Sequence, residues 1–298
     1  MIRTQDIYMK MCQKSDSLHR MTDEERQGLQ RHLIKMYKDI EAVCDKHGLS
    51  VMLSYGSALG AVRHGGFIPW DDDMDLYMHR KDYDLLIHKY ADELPDNYIV
   101  YAPNSKNGPI ARFAKVMDKN TRFVEPGMET SGGYQGVFID IFPLDNIGTN
   151  RLINKMKKCV SFFMIYTATS VVQYENKSQE YQALMSGSRK AKMNYYLRNI
   201  WGFCFSFFNS KKWFNLIDSF HVNEKETGFV HIPAGVKSRP WTLFDKGIFY
   251  PICKGTFGET EVYLPHETIK YLELIYGDWR KIPAENERWQ HFIKEIKV

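Results

Sequence analysis

Two short stretches constrain this chain more than any others. They are Tyr55-Gly56-Ser57-Ala58-Leu59-Gly60 and, fewer than twenty residues on, Pro69-Trp70-Asp71-Asp72-Asp73-Met74-Asp75-Leu76. In an extended strand alternate side chains share a face, so Asp73 and Asp75 project together while Met74 and Leu76 turn toward a core. Neighbouring carboxylates repel, and a divalent cation between them offsets that repulsion. Mg2+, with Mn2+ as a substitute, suits one or two carboxylates plus phosphate oxygens. The Gly56-Ser57 turn, just before a helix expected to begin near Ala58, offers unpaired backbone N–H groups and a hydroxyl to those oxygens. The chemistry this pattern favours is a phosphate held over metal.

Two metal ions clamping a phosphoryl oxygen need more than two ligands. Asp140 is the candidate third carboxylate, being the lone acid of the apolar run Val137-Phe138-Ile139-Asp140-Ile141-Phe142. An unpaired charge there is costly unless a cation or donor meets it. Asp71, Asp73 and Asp75 also match the first positions of a calcium loop, but Leu76 replaces the required glycine and Asp82 the closing glutamate. Neither Gly-Lys-Ser/Thr nor Gly-x-Gly-x-x-Gly occurs, which argues against a P-loop kinase and a Rossmann dehydrogenase. Arg63, His64 and Lys115 are candidates to offset charge on a leaving diphosphate. Trp70 and Tyr134 are candidates to stack on a base or enclose a quaternary ammonium, against a plain core role for Trp70.

The run from Tyr55 to Leu76 resembles the LicD family, a branch of the nucleotidyltransferase-fold superfamily that includes bacterial phosphocholine transferases and fukutin-related proteins. The resemblance recurs at Gly136 to Asp145 and at Tyr276-Gly277-Asp278-Trp279 with Pro283. It frames residues 30–150 and 235–285 and is weak between them. It implies that Gly56 and Ser57 are a phosphate turn and that Asp140 completes a metal site with Asp73 and Asp75, holding two Mg2+ ions. It further implies transfer of phosphocholine, or another phospho-alcohol, from CDP-choline or a similar CDP-linked donor. The acceptor would be a sugar hydroxyl of a cell-surface glycan or its lipid-linked precursor, as in lipopolysaccharide, teichoic acid or capsule. Asp71 or Asp72 would take the proton of that hydroxyl. Two rival readings stay open: an Asp-x-Asp glycosyltransferase using a nucleotide-sugar, and a binding protein with a degenerate site.

Local signals point to an α/β (α+β) core, a small mixed sheet flanked by helices. Thr22-Asp23-Glu24-Glu25 reads as a capping box opening a helix through Leu29, Leu33, Met36, Tyr37, Ile40 and Cys44, with Gly48 as its stop. Strands are expected at 49–55, 98–101, 110–117 and 137–142, and in the strand-like stretch 241–263; helices are expected at 81–94 and after Pro265. The expected organisation is a catalytic core with N-terminal helices over 1–150, a mainly helical insertion over 151–228, and a return to the core over 229–298. The five cysteines are scattered without a Cys-x-x-Cys pair, which favours buried free thiols over a disulfide framework or structural zinc. Residues Met1 to His19 lack an apolar signal core, so a cytoplasmic location is expected, with peripheral attachment at the inner membrane face.

A formal net charge of +4 does not call for nucleic acid, but its distribution is uneven. Between Arg151 and Lys212 eleven Lys or Arg face only Glu175 and Glu180, a local balance of +9. That stretch holds two apolar segments, 159–172 and 195–208. The first is too short to span a membrane, and Arg198 and Asn199 interrupt the second. They suit either an interfacial helix pair on anionic lipid, or a hydrophobic core or dimer interface.

Overall fold

The computed structural model describes residues 18–125, 133–233, 243–288 and 291–298. Most of the stretch read for a signal segment, together with Cys12, Trp241 and Thr242, lies outside the described residues.

The chain enters through the short strand β1 (His19–Arg20) and then α1 (Asp23–His47). The Thr22 hydroxyl accepts the Glu25 N–H while Glu25 accepts the Thr22 N–H, and Gly48 ends the helix in the left-handed conformation at φ 64°. The buried face of α1 contains Leu29, Leu33, Met36, Tyr37, Ile40, Val43 and Cys44, an apolar stripe at helical spacing. Next come β2 (Val51–Leu53), α2 (Tyr55–His64), β3 (Asp75–His79) and α3 (Arg80–Leu85). The helix expected over 81–94 changes winding within its length, passing from α3 through a π-helical turn at Leu86–Tyr90 to a tighter turn at Ala91–Glu93.

Strands β4 (Tyr98–Tyr101), β5 (Ala114–Asp118), β6 (Arg122–Val124) and β7 (Phe138–Asn146) complete the first half. The central sheet runs β2-β3-β7-β5-β4, and the far end of β7 also pairs with β8 (Phe229–His231), which pairs with β9 (Phe244–Asp245). The β3–β7 pairing is parallel and its neighbours are antiparallel, so the sheet is mixed. Strand β7 is the spine, with Ile139, Ile141, Phe142 and Leu144 in the core. It continues through Pro143 well past the expected end at Phe142, while β5 begins later than expected, at Ala114.

Residues 151–221 are helical: α4 (Arg151–Asn176), α5 (Gln179–Ser186), α6 (Arg189–Phe205) and α7 (Ser210–His221). They carry their own small cores, one built on Met164, Ala168, Val171, Trp213, Phe214 and Ile217. The chain then returns through β8 and β9 to the hairpin β10 (Cys253–Phe257) and β11 (Thr260–Leu264), and to α8 (Thr268–Tyr276). Its last strands, β12 (Phe292–Ile293) and β13 (Glu295–Lys297), pair with β1 and β6.

The thiols depart from expectation. Cys44 is buried, but Cys159 and Cys204 are exposed because they lie on outward faces of α4 and α6, and Cys253 is half-buried.

Candidate active site

The carboxylates gather at the entry ends of β3 and β7. The parallel register places Asp75 opposite Asp140, and the antiparallel β5–β7 register places Lys115 opposite Asp140 on the other side. Lys115 Nζ lies 2.6 Å from Asp140 Oδ1. Asp73 lies just before β3, and Met74 and Leu76 are buried as alternation requires. Backbone bonds lock the entry: the Asp140 N–H donates to the Met74 carbonyl and the Ser54 N–H to the Asp75 carbonyl.

The Gly-Ser pair is not a turn ahead of the helix, as expected, but part of its first turn. Helix α2 starts at Tyr55, which adopts φ 37°. The opening N–H groups of a helix have no intrahelical acceptor. That of Tyr55 donates to the Tyr271 hydroxyl, which among the described residues leaves those of Gly56 and Ser57 for a ligand. Gly56 is required by proximity, since a Cβ there would fall 2.7 Å from Asp71 Oδ2. The Ser57 hydroxyl accepts the Asp75 N–H at 2.9 Å and is buried, so it braces the carboxylate strand to the helix.

Asp72 is buried and bound twice by His291, through the backbone N–H at 2.9 Å and through Nδ1 at 2.7 Å. His291 Nε2 lies 3.7 Å from Glu125. Among the described residues, ligand atoms of Asp72, Asp73 and His291 all lie within 4.8 Å of one another. Sequence reading missed His291 altogether. It reaches the site because β12 and β13 fold the C-terminal segment back onto β1 and β6.

Burial and then the charges of Asp73 and Asp72 raise the Asp71 pKa well above the carboxylate range. Burial raises Asp73 to about 6; His291 opposes that shift, and Asp72 and Asp140 add to it. Burial, then Asp73 and Asp140, raise Asp75. Burial also raises Asp140, against the pull of Lys115. For His291, burial disfavours the charged ring, but Asp72, then Glu125 and Asp73, lift its pKa to about 10. Asp72 is matched to His291 and Asp140 to Lys115, Lys115 also acts on Asp73 and Asp75, and Asp71 feels the charges of His291 and Arg63, so among the described residues the carboxylates of the site outnumber the cations beside them. An all-oxygen donor set with excess negative charge fits a hard divalent cation.

The remaining candidates are already engaged. Arg63 donates to the carbonyls of Trp279 and Lys281 and to His64 Nε2, so it fastens the turn after α8 over α2. Burial and then the Arg63 charge lower the His64 pKa. Trp70 packs partly buried against the core, with the Arg288 guanidinium 4.3 Å from its ring centroid. Tyr134 is exposed, and its N–H donates to the Tyr101 hydroxyl. A separate cavity of ≈ 570 Å³, lined by His79, Arg80, Asp84, His88, Asn146 and Glu226, lies at the opposite end of β3. Arg80 there is committed to Asp145 and Asp218, and the carboxylate site lies elsewhere.

Residues 48–158, which contain every candidate carboxylate, match the model of the LicD/FKTN/FKRP nucleotidyltransferase domain. The chain carries a LicD-family domain. A curated relative, the lipopolysaccharide cholinephosphotransferase LicD of Haemophilus influenzae, is 24% identical over 263 residues, covering 86% of this chain and 92% of its own length. An alignment that long extends into the helical residues 151–228, where sequence reading found little resemblance. Uncharacterised proteins of Rickettsia prowazekii and Rickettsia typhi are each 38% identical over 50 residues, 17% of this chain and 19% and 16% of their own lengths.

Proposed function

We propose that this protein is a metal-dependent transferase that moves phosphocholine, or a related phospho-alcohol, from a CDP-linked donor to a sugar hydroxyl of a cell-surface glycan. The observation that carries the reading is the alignment of Asp75 with Asp140 beside Asp73, under the open N–H groups of Gly56 and Ser57. The similarity to a lipopolysaccharide cholinephosphotransferase along most of both chains supports choline as the alcohol and a glycan as the acceptor.

Asp73, Asp75 and Asp140 would hold Mg2+ or Mn2+, as one or two ions, which would supply charge neutralisation at the diphosphate. The N–H groups of Gly56 and Ser57 orient a phosphate oxygen at the helix N-terminus. Lys115 holds Asp140, and its positive charge would help to offset the negative charge that develops on a leaving CMP. Asp72, committed to His291, orients the C-terminal segment against the site. Asp71, whose carboxylate lies over Gly56 and whose pKa is raised, accepts the proton of the attacking hydroxyl. Purified protein with Mg2+ is to be tested against CDP-choline, CDP-ribitol, CDP-glycerol and UDP-sugars for release of CMP or UDP. CMP release from CDP-choline is the expected result; UDP release alone would assign the site to a glycosyltransferase, and no release from any donor to a binding protein.

A further inference from the structure

We infer that the outer faces of α4 and α6 dock on an anionic lipid surface. Helix α6 is apolar on both sides. Its inner side, Ala191, Tyr195 and Gly202, is buried, and a Cβ on Gly202 would fall 2.3 Å from the Ser170 carbonyl oxygen of α4. Its outer side presents Met193, Tyr196, Leu197, Ile200 and Phe203 at the three-and-four spacing of one helical face, each 45–63% exposed. An amphipathic helix of a globular protein ordinarily turns one apolar face to the core and a polar face outward. Here much of that outer side is open among the described residues, although Phe203 at its edge meets Tyr174 of α4.

Helix α4 repeats the arrangement. Leu152, Met156, Val160 and Phe163 form an exposed stripe, while Ser161, Met164, Ala168 and Val171 bury the opposite side. The two helices run antiparallel, with Gln173 bonded to the Tyr195 carbonyl near one end and Phe163 against Phe205 toward the other. Phe163 and Tyr166 also meet Trp201, and Tyr174 meets Phe203, so aromatic rings join the two helices. Apolar exposure on this scale marks an interaction surface.

Charge selects the occupant. Residues 151–212 carry +9, and none of their Lys or Arg side chains forms an ion pair among the described residues. Several instead lie over exposed or half-exposed rings, as Lys158 does over Phe162, Lys177 over Tyr174 and Lys212 over Phe208. Pairing with a second copy would set two such surfaces face to face. Anionic headgroups would neutralise them while the aromatic and aliphatic stripes enter the acyl boundary and the long cationic side chains reach back to the headgroups. Among the described residues no helix is long and apolar enough to cross a membrane, so the contact lies along the surface.

The test is flotation of the full-length protein with vesicles of phosphatidylglycerol mixed with phosphatidylcholine, or of phosphatidylcholine alone, at low and high salt, together with light scattering of the free protein. Docking predicts a monomer that floats with the anionic vesicles and is released by salt. The variant pair Lys190→Gln and Lys192→Gln should weaken binding by about an order of magnitude. The pair Ile200→Glu and Phe203→Glu should abolish it with the circular dichroism spectrum unchanged. Absence of flotation with anionic vesicles would overturn the inference. So would binding that survives the Ile200 and Phe203 changes, or a stable dimer that those changes convert to monomer. Donor turnover enters none of these readouts, so failure here and failure of the transferase reading are separate results.

Discussion

Asp75 and Asp140 stand directly opposite each other on parallel strands, and among the described residues the Lys115 ammonium bonds to Asp140 and not to Asp75. The carboxylates of the site therefore differ in what their removal does to the metal-free fold. Asp75→Asn should remove repulsion from a crowded, buried group and raise metal-free stability by about 1 kcal/mol. Asp140→Asn should lower it by about 1–3 kcal/mol, because Lys115 loses its partner. Both changes should abolish Mg2+-dependent turnover. Thermal melts in chelator, paired with CMP-release assays, check the opposite signs.

Gly56→Ala should leave the fold intact and reduce turnover by about a hundredfold, because the new methyl displaces the Asp71 carboxylate from its place over α2. Melting temperature and kcat measured together distinguish this from general destabilisation.

His291→Ala should disconnect the C-terminal strands from the site, since both hydrogen bonds between His291 and Asp72 depend on that segment being in place and one is made by the lost ring. Stability should fall by about 1–3 kcal/mol through the buried, unmatched Asp72. Limited proteolysis should cut the variant after residue 280 sooner than the wild type.

The acid limit of stability should be set in part by His221 and His231, whose rings lie 5.3 Å apart between the helical region and β8. Burial, aided at His221 by the neighbouring His231 and at His231 by Lys157, pushes both pKa values down to about 3. Their neutral forms are favoured in the folded state, so this contribution is complete above the unfolded value of about 6.5 and is lost as pH falls from there toward 3. Urea midpoints should drop steeply over that window. His231→Leu should flatten the slope, and an unchanged slope would remove these rings from the acid transition.

Elements defined by short-range pattern were legible in sequence. The capping box and six of the seven buried residues of the α1 face follow from local spacing, as does the burial of Met74 and Leu76 in alternation with Asp73 and Asp75. The engagement of polar groups was not. Ser57 read as a phosphate ligand, and no local signal showed that its hydroxyl also accepts the N–H of Asp75, eighteen residues away, while keeping its own O–H to donate. Arg63 read as an active-site cation; its charge does act on Asp71, but its hydrogen bond to the Trp279 carbonyl, 216 residues away, carried no local signal. His291 lies 219 residues from Asp72 and carries no local signal, because only the pairing of β12 and β13 brings it there.

In the proposed function Asp73, Asp75 and Asp140 hold the donor diphosphate through a divalent cation. Calorimetric titration of CDP-choline into the protein, with Mg2+ or with chelator, and into Asp75→Asn, tests it most directly. Binding should need Mg2+ and disappear in the variant; equal binding in chelator, or in Asp75→Asn, would rule out a metal-bridged diphosphate at these carboxylates.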